Sequence, residues 1–86
     1  MMKQILVNTY LSKDERIAGV MAAEYEMTNS WRDKGIIEHL FAKENKGGAV
    51  LTFNESDEQK VRELIEQLPL FPFFEKVEYL PLDKLY

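Results

Sequence analysis

A carboxylate at the centre of an apolar helical stripe is the feature of this 86-residue chain with the clearest chemical content. Ile17, Val20, Met21, Met27, Thr28 and Trp31 recur at helical spacing. On a wheel of about 100° per residue with Ile17 at zero, Glu24 falls at about −20°, inside that stripe, and Glu26 at about 180°. Glu24 therefore faces the core and Glu26 faces solvent. Burial raises the pKa of a carboxyl group unless a partner compensates, and a poised carboxyl group suits general acid–base work beside a carbonyl. The structural alternative is a carboxylate paired with a buried donor such as Asn8, Tyr10 or His39, or one that reaches solvent at the helix edge. His39, the one histidine, is a second proton-transfer candidate if it shares a pocket with Glu24; otherwise it is a structural strand residue. Tyr10, Trp31, Phe71 and Phe73 are candidate pocket walls, with Tyr25 beside them, and core packing is the competing role. No metal site is expected, because one histidine and scattered carboxylates make no ligand pair of helical or hairpin spacing.

The elements that must position these groups follow from pattern. Residues 3–10 have the β-branched and aromatic character of a strand. Ser12-Lys13-Asp14-Glu15 fits a capping box, so the first helix is expected from Lys13 to Lys34, ending at Gly35. Ile36 to Lys43 reads as a second strand, with Ile37, His39 and Phe41 on one face and Ile36, Glu38, Leu40 and Ala42 on the other. Residues 44–48 form a turn whose Gly47-Gly48 serves a hairpin and not a phosphate, and Ala49 to Phe53 is the third strand. Ser56 to Gln59 is a second capping box, after which Val61, Leu64, Ile65 and Leu68 mark the inner stripe of a second helix. Leu68-Pro69-Leu70-Phe71-Pro72-Phe73-Phe74 then stops that helix and continues extended. Phe74 to Leu82 is a fourth strand, ending near Pro81 or lying at an edge.

The order β-α-β-β-α-β implies one domain over residues 1–86: an α+β, ferredoxin-like, four-stranded antiparallel sheet with both helices on one face. Ten aromatics and a 45% hydrophobic content are more than the core of so small a domain needs. The uncovered sheet face is thus expected to pack on a second copy, giving a homodimer. A net charge of −4 offers no electrostatic support for a nucleic-acid partner. Absence of cysteine excludes disulfides and thiol chemistry and fits the cytoplasm. No apolar run approaches the ~20 residues of a membrane span, and the apolar run at the N-terminus is too short for a signal peptide.

Gln67-Leu68-Pro69-Leu70-Phe71-Pro72 resembles a helix-to-strand hexapeptide of the muconolactone isomerase family, within the dimeric α+β barrel superfamily. A gap-free match back to about Ala22 also places Glu24, Glu26, Gly35, His39-Leu40 and Phe53 on family positions. Ile37 and Glu38 stand where the family tends to carry Trp and Arg, and one extra residue falls near Lys76. The resemblance implies an isomerase that shifts a proton within a small unsaturated lactone, without metal or organic cofactor, as a homodimer or larger ring. A small apolar carbonyl or lactone ligand is implied, with Glu24 and His39 as catalytic candidates. The alternatives are a cofactor-free monooxygenase-like member and a non-catalytic ligand-binding or assembly module.

Overall fold

Alternation along Ile5-Leu6-Val7-Asn8-Thr9-Tyr10 sets the layers. Ile5, Val7 and Thr9 are sealed on one side, and Leu6, Asn8 and Tyr10 take the other. They belong to β1 (Met2–Leu11), an inner strand of a four-stranded antiparallel sheet in the order β2-β3-β1-β4. β2 is Ile37–Ala42, β3 is Ala49–Phe53 and β4 is Phe74–Lys84. The computed structural model describes residues 2–86; Met1, where the expected domain begins, lies outside them. α1 (Met21–Asp33) and α2 (Glu58–Ile65) complete the βαββαβ ferredoxin-like arrangement. A single core cluster joins Trp31 of α1 and Val61 and Ile65 of α2 to Ile5, Val7, Leu51 and Phe53, so both helices cover one sheet face.

Register arranges the covered face in rows. One row holds Ile37, Phe53, Ile5 and Pro81; the next holds Leu40, Leu51, Val7 and Tyr79. The last holds Ala42, Ala49, Thr9 and Val77. Side chains shrink along the inner strands from Phe to Ala. Trp31 packs on Phe53 with ring centroids 5.7 Å apart, so the large end is solid.

Several expectations need correction. Residues Glu15–Val20 form a 3-10 turn, and the α-helix starts only at Met21. Asp14, not Ser12, caps the 3-10 turn: it accepts from the Arg16 amide and pairs with the Arg16 side chain. Likewise Asp57, not Ser56, caps α2 by accepting from the Gln59 amide. The first helix does end as expected. Gly35 has φ +75°, its amide donates to the Arg32 carbonyl, and the Ile36 amide donates to the Trp31 carbonyl. The proline segment is not extended: Phe71–Phe73 is a 3-10 turn, with Leu68 and Leu70 buried and Phe71 on the surface. Pro81 lies within β4, tolerated because β4 is an edge strand.

The most consequential correction is in β2. The register slips between Ile37 and His39, making Glu38 the extra residue of a β-bulge. The displaced His39 amide donates to the Thr52 hydroxyl at 3.0 Å. Ile37, Leu40 and Ala42 therefore face the helices, while Glu38, His39 and Phe41 face the open side. β4 holds its own extra residue, Glu75, in a bulge opposite Tyr10 and Leu11.

Gly48 makes the hairpin possible. A Cβ there would lie 2.0 Å from the Thr9 carbonyl oxygen, and φ is +136°. Gly48→Ala is expected to destabilise the protein by about 3 kcal/mol in denaturant melts. Gly47→Ala, which meets only the movable Asn45 side chain, should cost under about 1 kcal/mol.

Candidate functional site

The row of small residues leaves space beneath the first turns of α1. A cavity of about 680 Å³ opens there. Thr9, Ala49 and Ala42 form its sheet wall; Met21, Glu24, Tyr25 and Thr28 form its helix wall. Leu68, Leu70 and Phe74 close it from the proline segment, and Lys43, Glu44, Lys46 and Gly48 from the β2–β3 turn. Tyr25 and Leu40 remain exposed and mark the mouth.

Glu24 is 8% exposed, as its place on the helical stripe requires. Its Oε1 accepts a hydrogen bond from the Leu70 amide at 3.0 Å. Oε2 has no hydrogen-bond partner among the described residues. Burial pushes the carboxyl above the ordinary glutamate range, and the Leu70 amide, which favours the charged form, opposes that shift. Thr28 stiffens the same turn: its hydroxyl donates to the Glu24 carbonyl at 3.1 Å.

None of the three partners expected for Glu24 reaches it. Asn8 and Tyr10 lie on the open sheet face, where the Tyr10 hydroxyl donates to Glu78 at 2.7 Å and the Asn8 amide donates to both. The Lys43 ammonium sits 3.8 Å from the centre of the Tyr10 ring and donates to the Thr9 carbonyl. The Glu38 bulge turns His39 to that same face, where it lies beside Phe41 and 3.7 Å from Glu38. Lys84 and Gln4 also donate to Glu38, and hold its carboxyl below the ordinary range.

Of the candidate side chains, then, the structure puts Glu24 in the cavity wall, with Tyr25 at the mouth. Trp31 belongs to the packed core. Phe71 lies at a shallow groove between α2 and β4, and Phe73 lies under the Arg16 guanidinium, 5.4 Å away. Leu70 was not legible as a site residue, because its contribution is a main-chain N–H. Leu40 and Ala42 were assigned to the face opposite Ile37 by plain alternation, which the bulge breaks. Among the described residues, no group of three or more His, Asp or Glu side chains is placed to hold a metal ion. No helix among them is long and apolar enough to cross a membrane.

No curated protein matches the chain. The family described as muconolactone delta-isomerase matches it over residues 4–85. That span takes in every strand but the first two residues of β1, both helices, the proline segment and Glu24. The chain belongs to the muconolactone delta-isomerase family.

Proposed function

We propose that the chain is an isomerase that shifts a proton within a small unsaturated lactone or a related carbonyl compound, with Glu24 taking up and returning the proton. One observation carries this reading: a single carboxyl group is buried in the wall of a mostly apolar cavity, with one oxygen tied to a main-chain amide and the other left for chemistry. Ionised Glu24 removes a proton from a carbon conjugated to the carbonyl, and the electron pair moves onto the carbonyl oxygen as a dienolate. The new carboxylic acid returns the proton at the far end of the conjugated system, so the atoms balance and Glu24 is regenerated. A raised pKa brings the base closer to the weak acidity of such a carbon. The apolar walls keep water from competing for the proton. Lys46 lines the same cavity and lends positive charge to the developing dienolate, while the Lys43 ammonium is held by the Thr9 carbonyl and the Tyr10 ring. His39 has no part in this scheme, because it faces the other side of the sheet.

The reading takes the protein to act as a homodimer, or a ring built from dimers, packed through the open sheet faces. Phe41 and Leu80 are exposed there at 58% and 54%. Light scattering at micromolar concentration is expected to give at least twice the monomer mass of 10.1 kDa, and a stable monomer contradicts the assembly.

Glu24→Gln preserves shape and still offers Leu70 an acceptor. It should lower turnover of an unsaturated lactone by 10²-fold or more. Glu26→Gln, on the exposed side, should leave turnover unchanged, and equal rates in all three proteins would remove Glu24 from the chemistry.

Stability has its own signature. Because burial raises the Glu24 pKa, the folded state holds that proton more tightly than the unfolded chain. The parent therefore loses stability as pH rises from the ordinary glutamate value of 4.5 through the raised folded value. Glu24→Gln escapes this loss. The stability difference between the two should be smallest below about pH 4 and grow in favour of Gln toward neutrality. A difference independent of pH contradicts the raised pKa.

A further inference from the structure

Lys46 departs from ordinary backbone geometry. Its φ is +59°, the one positive value at a non-glycine residue among those described. That region suits glycine, and a lysine held there stores strain of the kind found at functional segments. Lys46 lines the cavity but is exposed, so the place of its charge depends on how the β2–β3 turn is held. The main chain holds that turn sparsely. The pairing of β1 with β3 runs from Ile5–Phe53 to Asn8–Val50 and stops there. Beyond it the Thr9 hydroxyl accepts from the Ala49 amide at 3.0 Å and donates to the Ala49 carbonyl at 3.1 Å. The Leu11 amide donates to the Gly47 carbonyl at 2.9 Å. Within the turn, the Lys46 amide donates to the Lys43 carbonyl and the Lys43 amide to the Gly48 carbonyl, both at 3.0 Å.

We infer that Lys43 is a positioning residue: its side chain clamps the β2–β3 turn onto β1 and so holds Lys46 at the cavity, where its charge meets the developing dienolate. The use of Lys46 in the reaction rests on the proton-shifting reading of Glu24; the clamp does not. Lys43 is half-buried, and its stem lines the cavity. Its ammonium makes two contacts, and both belong to β1. It donates to the Thr9 carbonyl at 2.9 Å and sits 3.8 Å from the centre of the Tyr10 ring. That ring is itself fixed, because the Tyr10 hydroxyl donates to Glu78 at 2.7 Å. The turn is thus tied to an inner strand at the point where the β1–β3 ladder has ended. A lysine ammonium on a free turn would wander on its flexible stem. A charge stabilises a transition state well only when its position is set in advance. Lys76 supplies a built-in contrast: it approaches the same Tyr10 ring at 5.5 Å but does not line the cavity.

A double-mutant cycle on turnover of a five-membered unsaturated lactone by the full chain tests this. Lys43→Met should lower kcat by about tenfold, and Lys43→Arg, which can still donate to Thr9 and stack on Tyr10, should stay within about twofold of the parent. Lys46→Met should lower kcat at least as much as Lys43→Met. Adding Lys43→Met to Lys46→Met should then change nothing further, because the clamp acts through Lys46. Lys76→Met should leave kcat as in the parent. Losses that multiply in the double variant, or no rescue by arginine, overturn the inference and leave the role of Glu24 standing. Hydrogen exchange followed by NMR reads the clamp without any substrate. In Lys43→Met, the Lys43, Lys46 and Leu11 amides should exchange about tenfold faster, while the Ile36 amide, bonded to the Trp31 carbonyl in the far part of the core, keeps its rate. Unchanged exchange at the turn, or an equal rise at Ile36, also overturns it. If the parent turns over no lactone, the isomerase reading falls, and the exchange rates alone decide whether Lys43 holds the turn.

Discussion

Side-chain size along the helix-facing side of the sheet decides where this protein is solid and where it is hollow. The row Ile37-Phe53-Ile5 meets Trp31 in the buried core. Two rows on, Ala42, Ala49 and Thr9 have too little volume to reach α1. Interiors otherwise pack at the density of organic crystals, so a gradient of this kind cannot be absorbed by small shifts. It leaves a void at one end, and the helix residues above that void become its wall. Glu24 is one of them, a full helical turn and more before Trp31. The same helix thus closes the core with one residue and lines the cavity with another.

The bond from the Leu70 amide to Glu24 resolves two problems at once. A buried main-chain N–H needs an acceptor, and a buried carboxylate needs a donor. Leu70 lies past the end of α2, in a turn where no helical or sheet partner takes its amide, and its side chain is anchored in the core. Glu24 supplies the acceptor across 46 residues of sequence. The proline segment thereby becomes part of the site without lending it a polar side chain. Because a main-chain donor has no rotamers, it fixes the carboxylate at little entropic cost.

Much of this was legible in the sequence. The strand and helix order, the Gly35 stop, the third strand and the inward face of Glu24 all follow from periodicity and turn chemistry. What failed had local causes. Helical periodicity ran straight through Glu15–Val20, but Gly19 and the β-branched Ile17 and Val20 weaken an α-helix, and a tighter turn forms there. Alternation assigned His39 to the wrong face, because one bulged residue reverses every side chain beyond it. That single slip took His39 and Phe41 out of the cavity and brought Leu40 and Ala42 in. The Leu70 amide could not be found by residue type at all, since every non-proline residue carries one. The proline-aromatic hexapeptide signalled the right segment, but its contribution to the cavity comes from Leu68 and Leu70, joined by Phe74 just beyond it, not from the exposed Phe71.

Two departures from good packing coincide in space, and that coincidence separates a site from a defect. A small domain has little stability to spare, and leucines in place of Ala42 and Ala49 would fill the hollow. An apolar residue in place of Glu24 would remove a desolvated charge. Either change agrees with what local physics favours, and either would close or neutralise the cavity. Packing faults with no common cause would be scattered over the core, but here the void and the desolvated acid share one wall, while Phe53 and Trp31 pack on each other in the buried core. Small residues and a buried acid at one place are what a conflict between stability and function leaves behind.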